Sequence, residues 1–146
     1  MTISKQGLVL LKNLEGIRLQ SYLCSGNVWT IGWGTTQING IKVKNGDVIT
    51  FEKADELLNN DVKRFETLVN TKIKVDLTQN QFDALVIHSF NTGGSETLFH
   101  LINKGEPISK IREWIEKTYI SANGTIIKGL IYRRIKEANL YCSSIY

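Results

Sequence analysis

The sequence lacks the features that mark several large classes of protein. Its 146 residues include only two cysteines, too few for a disulfide scaffold, and one proline, so no proline-rich linker divides it. No stretch approaches the roughly 18 uninterrupted apolar residues that a membrane-spanning helix needs. A short early apolar run is interrupted at Lys12 and Asn13, so no signal peptide is predicted. We therefore expect a single globular domain over residues 1–146, without stable membrane insertion.

The charge balance is weakly basic. Eighteen Lys and Arg residues against fourteen Asp and Glu leave a formal net charge of +4. Such a surface is attracted to polyanions, which include nucleic acids, anionic membranes and bacterial cell walls. Because the acidic residues are scattered through the same segments as the basic ones, a solvated surface of mixed charge is an equally good interpretation.

Helical periodicity appears at the start of the chain and returns after Thr50. Leu8, Leu11 and Glu15 fall on one face of a predicted helix over residues 3–15, which places the Glu15 carboxyl group beside the leucines at the last turn. A long helix is predicted after Thr50. Further helices are expected where capping residues precede apolar repeats, at Thr78, at Pro107 and from about Leu130 to Cys142.

Between Ser21 and Val48 the pattern changes to short alternating segments. Asn39-Gly40 between two isoleucines predicts a hairpin with a type I′ turn. Thr30 alternates with Trp29 and Ile31, so its side chain is expected on the opposite face of a strand. The fold class is therefore α+β, with a small β-containing lobe over about residues 16–50. A larger helical lobe, over about 70–146 plus the N-terminal helix, is joined to it by the long helix, with a ligand cleft between the lobes.

The residues that point to chemistry are Glu15, Cys24 and Thr30. Glycoside hydrolysis needs an acid to protonate the leaving oxygen and a second group that activates water or attacks the anomeric carbon. A helix-end carboxylic acid facing an adjoining hairpin can bracket a glycosidic bond in this way. The apolar face around Glu15 would also help to keep its carboxyl group protonated.

The spacing of these residues resembles the signature of phage-type lysozymes, or endolysins, of glycoside hydrolase family twenty-four. That signature is Glu, eight residues, Asp or less often Cys, five residues, Thr. Here it lies within the blocks E-G-x-R-L-x-x-Y from Glu15 and T-I-G-W-G-T-T from Thr30. The resemblance extends through most of the chain, in the segments 79–85, 90–93 and 129–140.

The resemblance implies a lysozyme-like fold and muramidase activity, the hydrolysis of the β-1,4 bond between N-acetylmuramic acid and N-acetylglucosamine in peptidoglycan. Glu15 would be the general acid, and Thr30 would position the attacking water or nucleophile. Arg133 matches a supporting arginine beside the catalytic glutamate of relatives. The residues that would border the groove and bind substrate are Thr35, Thr36 and Phe90.

The resemblance also implies a biological setting. The partner would be bacterial peptidoglycan, with no cofactor, no metal and no nucleic acid, and the protein would be a monomer encoded by a phage or prophage. It would wait in the host cytoplasm until a holin releases it to the cell wall or periplasm.

Cys24 stands where Asp is commoner in the family. A free thiol, with a pKa of about 8.5, is only a few per cent thiolate at neutral pH. Attack by the thiolate would form a covalent intermediate and give retention, whereas a thiolate acting as a base on water would give inversion. Either role makes the enzyme sensitive to alkylation. Cys142, on the apolar face of the last helix, is interpreted as a small buried hydrophobic residue.

Two alternatives remain at this point. A lytic transglycosylase would act on the same substrate and close a 1,6-anhydro ring instead of adding water. A non-catalytic module would bind wall glycan or nucleic acid through a basic stripe of Lys110, Arg112, Arg133, Arg134 and Lys136. His88 and His100 lack a metal-ligand pattern, so structural or surface roles are expected for them.

Overall fold

The computed structural model describes all residues 1–146 and contains six helices and three two-stranded antiparallel hairpins. In chain order the elements are α1 Lys5–Glu15, β1 Arg18–Leu23, β2 Trp29–Gly32, β3 Gln37–Ile38, β4 Ile41–Lys42, α2 Phe51–Lys72, α3 Gln79–Thr92, α4 Glu96–Asn103, α5 Ile108–Lys117, β5 Ser121–Ala122, β6 Thr125–Ile126 and α6 Lys128–Ser143. This mixture of helices and small hairpins is the predicted α+β, lysozyme-like class. None of the helices combines the length and the apolar character needed to cross a membrane.

The chain forms two compact units. The hairpin unit is Leu11–Arg64, and the helical unit combines Met1–Leu10 with Phe65–Tyr146. The boundaries between them fall inside α1 and inside α2, so each of these helices contributes residues to both units.

The hairpin unit contains the first two hairpins. Strands β1 and β2 pair with Tyr22 opposite Thr30, and a register shift lies between Arg18 and Tyr22. The predicted turn at Asn39-Gly40 is confirmed, because it joins β3 to β4 with positive φ at both central residues, 50° and 79°. Ile31 and Trp33 are buried in the core.

The helical unit is built on α3, in which residues 82–89 are all buried. The Thr78 cap is confirmed in part, because its backbone N–H donates to Gln81 Oε1 at 3.0 Å. Asp83, fully buried in this helix, accepts hydrogen bonds from the Ser4 hydroxyl and, at 2.8 Å, from the Tyr146 hydroxyl. One carboxylate therefore holds together residues that are 142 positions apart in the sequence.

The predicted helices are present, with small differences at their ends and one addition. The first helix begins at Lys5 rather than residue 3, the last begins at Lys128, and α5 follows Pro107 directly. The α4 helix, Glu96–Asn103, has no predicted counterpart because eight residues hold too few apolar repeats to show a period. The β5–β6 hairpin forms around Asn123-Gly124, which the sequence analysis interprets only as a turn.

Candidate active site

Glu15 is the last residue of α1. The helix stops here because Gly16 adopts φ 65°, a left-handed conformation in which glycine meets no steric penalty, and its N–H donates to the Lys12 carbonyl at 3.0 Å. The Glu15 side chain is half-buried, and its Oε1 atom is shielded from solvent. The position matches the expected one, a carboxyl group at the final turn that is partly sheltered from water.

Cys24 and Thr30 lie on either side of the turn between β1 and β2. The Val28 carbonyl accepts hydrogen bonds from the Cys24 backbone N–H and from Thr30 Oγ1, both at 3.0 Å. The Thr30 side chain also lowers the pKa of the Cys24 thiol. The turn therefore brings together two of the three residues of the signature, and Thr30 is buried while Cys24 is partly exposed.

The surroundings of Cys24 favour its thiolate. Backbone hydrogen bonding at Val28 is the main cause that lowers the pKa of the Cys24 thiol. Burial, the next largest cause, opposes it, and the Gly26 backbone and the Thr30 side chain lower the pKa further. More of this thiol is therefore ionised at neutral pH than in an ordinary cysteine.

Tyr22 is a member of the site that the sequence analysis did not single out. It lies opposite Thr30 in the hairpin, and the Arg18 guanidinium stacks over its ring at 4.8 Å. Burial raises the pKa of the Tyr22 phenol, and the negative charges of Glu15 and Cys24 raise it further. Tyr22 is thus electrostatically coupled to both groups that the chemistry needs, and the tyrosine that ends the E-G-x-R-L-x-x-Y block was the available signal.

Thr35 and Thr36 differ in environment. Thr35 is buried, and its hydroxyl donates to Asp61 Oδ2 at 3.0 Å, which ties the segment after β2 to α2. Thr36 is exposed, and its carbonyl accepts the Val43 N–H at 2.9 Å, extending the ladder of the second hairpin. Of the two, only Thr36 presents its side chain at the surface.

Phe90 and Arg133 belong to the helical unit. The Phe90 ring is half-buried and lies 5.5 Å from that of Phe65. Arg133 is buried on α6, where its Nε donates to Glu137 Oε1 at 2.9 Å. The predicted residues thus divide between the units, with the signature residues in the hairpin unit and these two in the helical unit.

Glu137 is the centre of a buried charged cluster, the Glu137 cluster, formed with His88, Arg133 and Arg134. His88 Nδ1 lies 2.7 Å from Glu137 Oε2, and Arg134 Nη1 lies 3.1 Å from the same oxygen. Burial alone raises the pKa of Glu137, but the His88 hydrogen bond and charge, with the positive charges of Arg134 and Arg133, outweigh it and hold the pKa below its usual range. His88 therefore has a structural role, while His100 is exposed.

The two cysteines are free thiols. No group of three or more His, Cys, Asp or Glu side chains is arranged to hold a metal ion. The chemistry available in the hairpin unit is that of a carboxylic acid, a thiol of lowered pKa, a hydroxyl group and a phenol.

Known proteins similar to this chain come mainly from phages. The family model described as Phage lysozyme matches residues 12–137. The endolysin of Acyrthosiphon pisum secondary endosymbiont phage 1 is 41% identical over 150 residues, covering 99% of this chain and 100% of that protein. The endolysin of Bacillus phage B103 is 36% identical over 97% of this chain, which spans only 54% of that protein's length. Among solved structures, the endolysin from Escherichia coli O157:H7 phage FAHEc1 matches with a TM-score of 0.88 at 37% identity, over 100% of this chain and 96% of the other.

Proposed function

The chain belongs to the phage lysozyme family, and from that membership we propose that it is an endolysin that hydrolyses peptidoglycan and so lyses the host cell. The bond cleaved is the β-1,4 linkage between N-acetylmuramic acid and N-acetylglucosamine. Glu15 is the general acid, Cys24 is the second reacting group, and Thr30 positions the group that reacts at the anomeric carbon.

One observation carries this assignment. The Cys24 backbone N–H and Thr30 Oγ1 donate to the same Val28 carbonyl at 3.0 Å, Tyr22 lies opposite Thr30, and the negative charge of Glu15 raises the pKa of Tyr22. The three signature residues, which lie on consecutive elements, thus gather around one tyrosine. Paired acidic groups on either side of a glycosidic bond are what this reaction needs.

In the reaction, the Glu15 carboxyl group gives its proton to the bridging oxygen as the bond from the anomeric carbon to that oxygen breaks. The Cys24 thiolate then acts in one of two ways. It bonds to the anomeric carbon through Sγ, and water later displaces the thiolate as it gives a proton to the Glu15 carboxylate, giving retention. Alternatively, it takes a proton from a water molecule whose oxygen bonds to the anomeric carbon, giving inversion. A lowered Cys24 pKa favours both routes because each begins from the thiolate.

Replacing Glu15 tests the acid directly. Glu15→Gln keeps the size and polarity of the side chain but removes the proton, so we expect loss of turbidity clearing on bacterial walls with an unchanged circular dichroism spectrum. Glu52→Gln, an exposed residue in the first turn of α2, is the matched control and should clear walls at the normal rate. Normal clearing by Glu15→Gln would refute the acid assignment.

Hydrolysis in isotopically labelled water distinguishes the two routes. Wild type, Cys24→Ala and Cys24→Asp are compared for the anomer first formed and for label in the product. We expect label in wild-type products, low activity in Cys24→Ala and substantial activity in Cys24→Asp, since a carboxylate is ionised at neutral pH. Unlabelled products lighter by one water would identify a lytic transglycosylase instead.

The setting implied by the family is part of the same proposal. The protein acts as a monomer on the peptidoglycan of its host, and it stays in the host cytoplasm until a holin gives it access to the wall. Size-exclusion chromatography tests whether the protein is a monomer. Fractionation of infected cells with and without holin activity tests where it is held before lysis.

A further inference from the structure

A pocket of about 250 Å³ lies in the hairpin unit, between the β1–β2 turn and the second hairpin. We call it the hairpin pocket, and its walls include Asn27, Val28, Trp29, Thr36, Gln37 and Lys42. Ligand pockets for whole small molecules are typically about 300 Å³ or larger, so this one is suited to a single functional group of a longer ligand.

The second hairpin sets the polar wall of the pocket. Gln37 and Lys42 are direct partners across β3 and β4, so their side chains leave the same face of the hairpin next to each other. No ion pair engages the Lys42 ammonium group. An amide and an uncompensated cation side by side form a site for a carboxylate, because a charge-assisted hydrogen bond is stronger than a neutral one.

The opposite wall is shared with the candidate active site. The Val28 carbonyl, which accepts from Cys24 N–H and Thr30 Oγ1, belongs to a residue of this wall, and Trp29 directly precedes Thr30. Trp29 is half-buried and offers an apolar surface. This wall is therefore formed by residues 27–29, which lie between Cys24 and Thr30 in the chain.

We propose that the hairpin pocket binds a carboxylate of the peptide attached to N-acetylmuramic acid, with Lys42 as its counter-charge and Gln37 as a hydrogen-bond donor. This inference rests on the proposed function and adds a specificity determinant to it. In peptide-bearing strands the lactyl carboxyl group of N-acetylmuramic acid is held in an amide bond, so the free carboxylates are those of the stem peptides, and an unpaired lysine in this pocket distinguishes them from peptides whose carboxyl groups are amidated.

The test compares two substrates. One is peptidoglycan freed of teichoic acid, and the other is the same material after carbodiimide coupling to ammonia has converted the free carboxylates of the stem peptides to amides. For Lys42→Gln we expect KM on the intact material to rise about threefold to fivefold, the size of an exposed ion pair, with kcat unchanged. On the amidated material Lys42→Gln should change neither constant, and Lys42→Arg should have the wild-type KM on the intact material.

Lys44→Gln is the matched control. It removes one positive charge from the same segment, but Lys44 lines a neighbouring depression formed by residues 38–49 and not the hairpin pocket. An equal rise of KM in both variants, or a rise on both substrates, would mean general attraction of a basic protein to an anionic polymer and would overturn the proposal.

A binding experiment separates this inference from the proposed function. Soluble disaccharide-peptide and the same compound with its carboxyl groups amidated are titrated into wild type and Lys42→Gln, which requires no turnover. We expect tighter binding of the disaccharide-peptide, lost in Lys42→Gln. If wild type binds in this way but releases no reducing ends from either wall substrate, the proposed function fails and the pocket stands. If both ligands bind equally, the pocket assignment fails.

Discussion

Cys24 and Cys142 are two free thiols in opposite electrostatic environments. Hydrogen bonds around Val28 lower the pKa of Cys24, while burial raises the pKa of Cys142. Because the thiolate is the reactive form, iodoacetamide at pH 7 should alkylate Cys24 first and abolish wall clearing. Peptide mass spectrometry gives the alkylated fraction of each cysteine over time, and its comparison with the residual activity of the same samples tests this order.

Cys142→Ser provides the control for that experiment. It should have normal activity and be inactivated by iodoacetamide at the wild-type rate. Full activity after stoichiometric alkylation of Cys24 would remove this residue from the mechanism.

The coupling between Tyr22 and Glu15 is also measurable. After burial, the negative charge of Glu15 is the next cause of the raised Tyr22 pKa, so Glu15→Gln should lower the pKa of Tyr22 towards its ordinary value. Titration of the tyrosine Cζ resonances by NMR, assigned with Tyr22→Phe, detects the shift. Glu52→Gln should leave this pKa unchanged, and an equal pKa in wild type and Glu15→Gln would contradict the proximity of the two groups.

At the scale of elements, two glycines allow the effect of backbone conformation on stability to be measured without any effect of packing. A Cβ atom would meet no neighbour within 4 Å at either Gly40 or Gly129, but Gly40 has φ 79° in the β3–β4 turn and Gly129 lies in the first turn of α6. We expect Gly40→Ala to lower the free energy of unfolding by about 1 kcal/mol. Gly129→Ala should raise it by about 0.5 kcal/mol, because alanine restricts the unfolded chain and favours the helix.

Urea denaturation of the two variants beside wild type measures both changes. Equal effects of the same sign would show that the conformation of the turn does not decide the stability of the second hairpin.

The Glu137 cluster connects α3 to α6 and makes stability depend on pH. Glu137→Gln leaves Arg133 and Arg134 buried without their carboxylate, so we expect it to cost about 3–5 kcal/mol at pH 7. Since the folded pKa of Glu137 is lowered, its contribution is fully present above the ordinary glutamate pKa of about 4.3 and is lost as the pH falls through the lower folded value.

Unfolding midpoints of wild type and Glu137→Gln, measured between pH 7 and pH 3, test this pH dependence. The difference in midpoint between the two proteins should shrink as the pH falls, and a difference that grows would contradict the lowered pKa of Glu137. Glu113→Gln, whose exposed carboxylate pairs with Lys117 within α5, should behave like wild type throughout.

The elements that could be predicted from sequence are those whose signal is local. The period of α2, the Asn39-Gly40 turn and the stop at Gly16 each depend on residues within a few positions of one another. The same holds for the signature itself, because Glu15, Cys24 and Thr30 lie on consecutive elements.

What sequence reasoning missed depends on contacts between distant residues. His88 and Glu137 are 49 positions apart, and neither is unusual in its own segment. The role of Tyr22 likewise arises from the pairing register that sets it opposite Thr30. Arg133 and Arg134 belong to the basic stripe that the sequence offers as an alternative contact surface. In fact both are buried, since their partner Glu137 lies on the inner face of α6.

At the scale of the whole molecule, the burial of Arg133 and Arg134 removes two positive charges from the surface that a partner could contact. The two buried arginines contribute nothing to a contact surface, so the nucleic-acid alternative loses two of its five proposed residues. The exposed lysines, including Lys42 and Lys44, remain available to an anionic polymer at long range. This arrangement favours attraction to a cell wall over a continuous phosphate-binding stripe.

The hydrogen bonds that Asp83 accepts from Ser4 and Tyr146 also fix when the helical unit can be completed during translation. Ribosomes add about 5–20 residues per second, so the first of these residues is made roughly 7–30 seconds before the last. Until then the nascent chain carries an unfinished core whose carboxylate lacks one of its donors. We expect a ribosome stalled before residue 146 to hold this part of the protein in a protease-sensitive state, because the Asp83 carboxylate then lacks the Tyr146 hydroxyl.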